Sequence, residues 1–449
     1  MSEPLVALEL TRWVDPASVF LALHAGDDDA FWLDAGPSAQ DGWSWVGTGE
    51  PENDPDAVRA VDCTSPEWEA WPAGRFRGGW VGWLDYDHAA AGAGAPAHFD
   101  ADTSAEQWIR VSRFVAFDHA AGRCWAVAAP DAVAELASAV ARIDVASAPP
   151  LAPAPPAVAH QRHTAEDYAL RIERCRDAIR EGDAYQLCLT TRFEIEAPKA
   201  LQDPPSRGQS VTTVDPLDAY RRLRAATPAH HGGLVRSGPI ALASASPERF
   251  LEVERGVVRT RPIKGTRPRS ADAAADAALA EELRTDEKER AENVMIVDLM
   301  RNDLSRVCDA GSVGVDALLA VESYPAVHQL VSTVSGTLRA GVSVGELLDA
   351  AFPAGSMTGA PKLSAMTILH ELEGAPRGVF AGCFGWVGDD GALDLAMVIR
   401  SIVVHPGGAY VGAGGGITWR SNAAAEVAEV GIKARGPLAA LGAALPPGW

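Results

Sequence analysis

Two glutamates and a lysine recur on one face of a helix predicted near the end of the sequence. Glu426, Glu429 and Lys433 are spaced at i, i+3 and i+7 in SNAAAEVAEVGIK, so their side chains share one side of the helix. Two carboxylates there would bind Mg2+, and the lysine would bind an anion. Upstream, Gly412–Gly416 would let backbone amides approach a carboxylate closely, as glycine-rich turns do for anions. A solvated face with a Glu429–Lys433 ion pair explains the same pattern, so both interpretations stay open.

A lysine between an apolar residue and a glycine is the second candidate. Lys264 lies in TRPIKGT, directly after a predicted strand. A desolvated amine there would have a lowered pKa, which a nucleophilic lysine needs. A solvated loop lysine is the alternative, and taken alone the pattern favours that alternative.

Two further glutamates occupy positions where a carboxylate needs a partner. Glu248 follows Ser246-Pro247 at a strand–turn–strand junction, where it would be a positioned general acid or the ion-pair partner of an arginine. Glu292 adjoins a strongly apolar helical run at the edge of a core. Burial without a partner is costly for a carboxylate, and a hard cation is one possible partner.

The patterns around these residues indicate an α+β fold. A helix is predicted from its cap at Thr164 to Gly182, and the alternating YQLCLTTRFEIE predicts a strand. Strands and helices occur in runs rather than in strict alternation. The other predicted strands are Ile240–Ala245, Arg249–Val253 and Val257–Thr260, and the other predicted helices are 278–303, 361–371 and 423–435.

Composition limits the class of protein. The chain has 449 residues with 39 basic and 60 acidic side chains, a formal charge of −21. Nucleic acid and anionic membranes are disfavoured as partners by that charge. The six cysteines form no CxxC pair, and no signal peptide or long apolar segment is evident, which predicts a soluble cytoplasmic protein with reduced thiols. Phosphate-loop, dinucleotide, esterase, zincin and glutaminase motifs are not found.

Taken in order, the motifs resemble those of the chorismate-utilising enzymes, which include anthranilate synthase component I and the aminodeoxychorismate, isochorismate and salicylate synthases. The blocks that carry the resemblance are YQLCLTTRFE, SASPERFL, TRPIKGTRPR, ERAENVMIVDLMRNDLSRVC, VESYPAVHQLVSTVSG, FPAGSMTGAPKLSAM, RGVFAGCFGWVGDDGALDLAMVIRSI and GAGGGITWRSNAAAEVAEVGIKA. The resemblance implies two packed, mostly antiparallel sheets with helices on the outside. It also implies a β-rich region over 1–145, a Pro/Ala linker over 146–160 and a chorismate-binding catalytic domain over 161–445.

Two positions distinguish the reactions within this family. Isochorismate- and salicylate-forming members carry a lysine where this chain has Gln186, so water addition is disfavoured. Anthranilate-forming members read PIAGT where this chain reads PIKGT. The resemblance to the aminodeoxychorismate-forming members therefore implies that Lys264 is the nucleophile and Glu248 the acid.

The remaining site residues follow from the same resemblance. It implies Mg2+ held by Glu292 and Glu429 with Glu426 nearby. It implies a substrate site formed by Gln186, Thr358, His328, Arg400 in the VIRSI strand, Lys433 and the amides of Gly414, Gly415 and Gly416. The block usually written SDPExE is SNAAAEVAE here, which keeps both acidic positions. The family's LLES motif for tryptophan inhibition is not evident at Trp32–Ala35, which puts such feedback in doubt.

The expected activity is the conversion of chorismate and ammonia to 4-amino-4-deoxychorismate, for p-aminobenzoate and folate synthesis. A glutaminase subunit is expected to supply the ammonia. The alternatives are anthranilate synthase component I, a 2-amino-2-deoxyisochorismate synthase, from which Lys264 points away, and a catalytically silent partner subunit.

Overall fold

The structure is a computed structural model that describes residues 4–37, 39–65, 71–144, 150–196, 214–324 and 327–449. The helices in these ranges are α1 Pro16–Leu23, α2 Pro55–Arg59, α3 Tyr86–Gly92, α4 Val133–Ala141, α5 Ala165–Glu181, α6 Pro216–Ala226, α7 Ala273–Thr285, α8 Glu287–Ser305, α9 Val344–Ala351, α10 Lys362–Glu373 and α11 Ala423–Ala440.

The strands are β1 Val6–Glu9, β2 Ala30–Asp34, β3 Trp43–Pro51, β4 Gly79–Leu84, β5 Glu106–Asp118, β6 Arg123–Ala128, β7 His160–Gln161, β8 Gln186–Glu196, β9 His231–Ser237, β10 Ile240–Ser246, β11 Arg249–Glu254, β12 Val257–Thr260, β13 Ile263–Pro268, β14 Gly314–Ser323, β15 Val327–Thr337, β16 Gly359–Ala360, β17 Cys383–Gly388, β18 Leu393–Met397, β19 Ser401–His405 and β20 Gly408–Thr418.

The strands pair antiparallel in one hydrogen-bonded network with two halves that meet at the long strand β5. One half runs β15–β12–β11–β18–β17–β4. The other half runs β3–β2–β9–β10–β19–β20–β8. Strand β5 pairs with β4 along one edge and with β3 along the other.

Aromatic side chains fill the space between the two halves. The ring of Trp45 on β3 lies 6.1 Å from that of Trp386 on β17, and Phe76 lies 5.4 Å from Trp386. Buried residues of α5, α6 and α11 cover the outer face of the second half. The predicted α+β class, with packed antiparallel layers and outer helices, is confirmed.

Most predicted elements appear close to their predicted bounds. Helix α5 is capped by Thr164, whose side chain accepts the backbone N–H of Asp167, and it ends at Gly182 with φ +89. Strand β12 has the predicted ends, and α11 runs five residues beyond its predicted end. The Pro-rich stretch Leu201–Asp215 predicts a loop from its composition, and its residues up to 213 lie outside the described ranges. The predicted linker is described only from residue 150, and 150–159 contain one isolated bridge, Ala157 with Ala443.

The single helix predicted over 278–303 is wrong, because the structure has two helices there. Asp286 separates α7 from α8 with an extended backbone (φ −63, ψ 114), and its carboxylate accepts the N–H of Glu289 at 3.0 Å. Asp is a strong N-cap because it satisfies an amide at the start of a helix that has no intrahelical partner. The break sets the direction of α8, which carries Glu292. No helix among the described residues is long and apolar enough to cross a membrane.

We expect Asp286→Ala to lower the free energy of unfolding by about 1 kcal/mol, because α8 loses its N-cap. Urea denaturation would measure the change. Asp286→Asn is the matched control, since it keeps the capping oxygen but loses the ion pair with Arg267 at 3.1 Å. Equal losses in both variants would show that the ion pair, rather than the cap, stabilises this junction.

Candidate active site

A bulge in strand β13 directs Lys264. The pairing of β13 with β15 shifts register between Lys264 and Thr266. Gly265 lies in the bulge with φ +76, and a Cβ there would come within 2.6 Å of Leu283 and 3.0 Å of Glu289. Only glycine fits this backbone conformation and this close approach to α7 and α8. The glycine of PIKGT thus permits the bulge that sets the direction of the Lys264 side chain.

Glu248 is a buried carboxyl group beside this bulge. It occupies the turn between β10 and β11 and is 7% exposed. Its carboxylate accepts hydrogen bonds from the Ser356 side chain and from the backbone N–H of Ile263, the residue before Lys264. Burial raises the pKa of Glu248, and this effect outweighs the opposing effects of Lys264 and of the two hydrogen bonds. A carboxyl group with a raised pKa retains its proton more readily and can serve as a general acid.

The lowered pKa expected for Lys264 is wrong for this arrangement. Burial does act to lower the pKa of the ammonium group, but Glu292, Glu248 and Glu429 together raise it above its ordinary value. The sequence neighbours of the lysine are apolar, and these carboxylates come from three distant segments. Their convergence could not be seen from the local motif.

Strand β20 provides the surface on which the site is built. Gly414, Gly415 and Gly416 lie within this strand, where they pair with Thr190, Leu189 and Cys188 of β8 in a regular ladder. A Cβ on Gly415 would lie 3.4 Å from Glu426 Oε2 and 4.0 Å from Lys433 Nζ. The glycines therefore allow polar groups of neighbouring elements to come close to the strand backbone.

Carboxylates and lysines alternate across this surface. Lys433 Nζ lies 2.7 Å from Glu429 Oε1 and donates to the Gly414 carbonyl at 2.9 Å. Lys288, on α8, lies 2.8 Å from Glu426 Oε1 and 3.8 Å from Glu292 Oε1. The structure thus brings the three predicted metal-binding glutamates to one site, where lysines compensate their charge.

The donor atoms fit a hard cation in chemistry but do not surround one position. Glu292 Oε1 is buried without a hydrogen-bond partner, and burial raises the pKa of this carboxyl group to about 7. Carboxylate oxygens are the ligands that Mg2+ prefers. Across the described ranges, however, no three His, Cys, Asp or Glu side chains are close enough to hold a metal ion. The ammonium of Lys288 stands between Glu426 and Glu292 instead.

An amide without hydrogen-bond partners points into the same space. Gln186 is 0% exposed, and both polar atoms of its side chain are unsatisfied. Its Nε2 lies 2.7 Å from where a Cβ of Gly416 would be, and that point is 3.5 Å from Glu292 Oε2. A buried orphan amide is costly, so a ligand group is the expected partner. Thr358 adjoins Gln186, since its carbonyl accepts the N–H of Cys188 at 2.8 Å, but its hydroxyl donates to the carbonyl of Ala354 at 3.2 Å.

Arg400 lies near Glu429 of this cluster. It does not lie in the predicted strand but at the bend between β18 and β19, with φ +53. Its guanidinium makes no hydrogen bond or ion pair with any residue that the structure describes, although Glu429 is near enough to act on its pKa. Burial lowers that pKa against the effect of Glu429. A strained backbone that holds an unpartnered guanidinium suits an anion site.

His328 lies on β15, the strand that pairs with β13, and its ring contacts two polar side chains. Its Nδ1 lies 2.8 Å from Ser323 Oγ, and its Nε2 lies 3.0 Å from Asp276 Oδ1. Both ring nitrogens are engaged on the side of α7 and β14. The predicted substrate contact of His328 stays a prediction.

A cavity of about 960 Å³ adjoins the segments that carry Glu248 and Lys264. Its walls include Leu33, Asp34 and Ala35, and it reaches Pro247 and Ile263, which neighbour Glu248 and Lys264 in sequence. The side chains of the predicted acid and nucleophile do not line it. The segment nearest to the LLES motif therefore borders a cavity that is distinct from the site.

Two site residues were missed from the sequence. Lys288 precedes Glu292 by four residues, a spacing at which a lysine and a glutamate meet on a helix, so the signal was present. Ser356 stands in GSMTGAPK, but its contact with Glu248 joins segments that are far apart in the chain, and no local pattern reports it.

The chain belongs to the family of chorismate binding enzymes, whose sequence profile matches residues 33–439. Among its relatives is the aminodeoxychorismate synthase of Streptomyces pristinaespiralis, 41% identical over 401 residues, which are 86% of this chain and 53% of that protein. The anthranilate synthase component 1 of Streptomyces coelicolor is 39% identical over 394 residues, 82% of this chain and 73% of that protein. The chain spans about half the length of the Streptomyces aminodeoxychorismate synthases that it matches.

Solved structures share the fold. The crystal structure of anthranilate synthase component I from Streptococcus pneumoniae superposes with a TM-score of 0.71 at 28% identity, over 97% of this chain and 92% of that one. The menaquinone-specific isochorismate synthase of Escherichia coli gives a TM-score of 0.70 at 15% identity, over 98% of this chain and 96% of that one. The second likeness concerns the fold alone.

We expect Lys288→Met to destabilise the chain by about 2 kcal/mol in the presence of a chelator, because Glu426 and Glu292 lose their shared cation. Removing one partner of a fully buried pair costs about 3–5 kcal/mol, and the Lys288 side chain is 35% exposed, so a smaller loss is expected. Saturating Mg2+ should restore much of the loss, as measured by thermal unfolding.

Arg420→Met is the control at the same end of α8, since it removes only the exposed pair with Glu287 and should change stability by less than about 0.5 kcal/mol. If Mg2+ stabilised Lys288→Met no more than the control, the carboxylates would not be a cation site.

Proposed function

We propose that the chain converts chorismate and ammonia to 4-amino-4-deoxychorismate, with Lys264 as nucleophile and Glu248 as acid. The observation that carries the proposal is the adjacency of the two groups: Glu248 accepts the N–H of the residue before Lys264, and each side chain acts on the pKa of the other. The similarity to aminodeoxychorismate synthases at about 41% identity supports the same reaction.

The first half of the reaction forms a covalent intermediate on the lysine. After loss of the ammonium proton, the neutral amine of Lys264 bonds to C2 of chorismate, the two conjugated ring double bonds shift towards C4, and the bond between C4 and its oxygen breaks. Glu248 donates its proton to the departing hydroxyl group, which leaves as water. The raised pKa of Glu248 suits this donation.

The second half releases the lysine. Ammonia bonds to C4, the two double bonds shift back, and the bond between C2 and the Lys264 nitrogen breaks. Two successive displacements keep the configuration at C4, and the pyruvyl group remains on the product. Loss of a proton from the added nitrogen gives the neutral amine and completes the balance.

We assign the substrate's carboxylates to the cationic side of the site. Arg400, whose guanidinium has no partner in the described ranges, and Lys433 would bind them, with amides of Gly414–Gly416 close by. Gln186 and Thr358 would form the wall next to them. Glu292, Glu429 and Glu426 would hold Mg2+, and bound Mg2+ would neutralise the ring carboxylate of the substrate. His328 stays outside this assignment because Ser323 and Asp276 hold its ring.

We also propose a glutaminase partner that supplies ammonia, and a cytoplasmic role in p-aminobenzoate and folate synthesis. The relatives of Klebsiella aerogenes and Salmonella typhimurium are named component 1 of aminodeoxychorismate synthase, a name that supports a second component. All six cysteines are buried and unpaired, which suits a reducing compartment.

Anthranilate synthesis is the second candidate, favoured by the 39% identity to the component 1 of Streptomyces coelicolor. That reaction releases pyruvate and gives an aromatic amine. Lys264 disfavours this reaction, because anthranilate-forming members of the family have alanine at the same position.

We expect the purified chain to convert chorismate, Mg2+ and ammonium to an amine that keeps its pyruvyl group, as detected by mass spectrometry. Lys264→Ala should abolish turnover, and Glu248→Gln should slow it about 10²–10⁴-fold because the leaving hydroxyl is no longer protonated. Anthranilate and pyruvate, formed equally by wild type and Lys264→Ala, would assign the chain to the second candidate.

We expect ammonium salts at high pH to support turnover by the chain alone, since ammonia rather than ammonium is the nucleophile. Glutamine should not replace ammonium until a glutaminase is added. Product formation from glutamine by the purified chain would refute the proposal that a separate glutaminase supplies the ammonia.

A further inference from the structure

A buried arginine lies behind the wall of the site. Arg377 is 3% exposed and is located between α10 and β17. Its guanidinium donates to both carboxylate oxygens of Glu373, at 2.8 and 2.7 Å. The same group donates to the carbonyls of Met357, at 2.7 Å, and of Cys188, at 2.8 Å. One side chain therefore joins three segments of the chain.

The two carbonyls belong to the segments that carry Gln186 and Thr358. Met357 directly precedes Thr358, and Cys188 follows Gln186 by two residues on β8. Strand β16, directly after Thr358, pairs with Gln186 and Leu187 of β8. Arg377 thus holds, from behind, the two backbones that present these side chains to the site.

The partners of Arg377 are themselves fixed. Glu373 Oε1 also accepts the N–H of Thr190 at 2.8 Å and its hydroxyl at 2.9 Å. Asp87, on α3, accepts the N–H groups of Arg377 at 3.2 Å and Gly378 at 2.7 Å. A buried ion pair is weak support for stability, because desolvation offsets its attraction. Its hydrogen bonds do, however, fix geometry.

We propose that Arg377 and Glu373 are a positioning pair that sets the Gln186–Thr358 wall at the distance chorismate needs. The inference rests on the proposed function. The planar guanidinium can donate to one carboxylate and two carbonyls at once, whereas the ammonium of a lysine cannot reproduce this fork. Small displacements of positioning groups cost binding and rate out of proportion to their size.

The test compares Arg377→Lys with Arg192→Lys in the complete chain. Arg192 lies on the same strand β8, at the end away from Gln186, and is bound to buried Asp100 at 2.6 Å. Both variants keep the positive charge but lose the planar guanidinium and its several donors, so both should lower the melting temperature. Only Arg377→Lys should raise the KM for chorismate, by about tenfold or more, with kcat changed much less.

Glu373→Gln is the second variant, and it decides the question if Arg377→Lys does not fold. It should raise KM in the same direction, by about threefold or more, because the wall loses part of its support. An unchanged KM in the folded variants, or an equal rise in Arg192→Lys, would show that the pair acts on stability alone. A wild-type chain that binds no chorismate in a direct binding measurement would overturn the proposed function and this inference with it.

Discussion

The pairing of β8 with β20 is the interaction on which the site depends. The ladder runs from Glu196–Gly408 to Gln186–Thr418 without a register shift, so it fixes the position of Gln186 relative to the glycines of β20. Those glycines leave the space into which α11 and α8 bring their glutamates. A ladder of this length specifies register strongly, because a slip by one residue would exchange the buried and site-facing side chains. Helix α11 packs against this pair of strands, and β16, next to Thr358, pairs with the Gln186 end of β8.

Charge compensation explains how such a site exists in an acidic protein. The chain has a formal charge of −21, yet the carboxylates at the site each lie close to a lysine. Burial raises the pKa of Glu292, whereas the pKa of Glu429 is lowered because Lys433 and its neighbours outweigh burial. Neighbouring carboxyl groups thus differ in proton affinity because of their surroundings. Such differences are typical of functional sites.

Local patterns were sufficient for much of the fold. The cap at Thr164 and the glycine at 182 bound α5 as predicted, and alternation identified β8. The resemblance of the blocks led to Glu292, Glu426 and Glu429, which do converge. Whether they bind a metal, and whether Lys264 and Glu248 react, remain proposals.

Features that depend on distant contacts could not be predicted. The pKa of Lys264 is set by carboxylates from three other segments, and the contacts of Ser356 and Arg377 join parts of the chain far apart in sequence. The glycines of β20 permit close packing within a strand, and the residues that pack against them come from other segments. The side-chain direction of His328 depends on Asp276 and Ser323, which the VHQL block does not reveal.

Strands from the N-terminal part of the sequence pair with strands from much later parts, and this affects how the chain folds during synthesis. Trp32 of β2 pairs with Leu234 of β9, and Trp83 of β4 pairs with Phe384 of β17, at separations of roughly 200 and 300 residues. During synthesis, the N-terminal strands leave the ribosome long before their partners exist, and their unpaired edges are exposed to other nascent chains. The strong negative charge keeps such chains apart during this interval. A strongly acidic composition therefore protects the unfinished sheet from association with other chains.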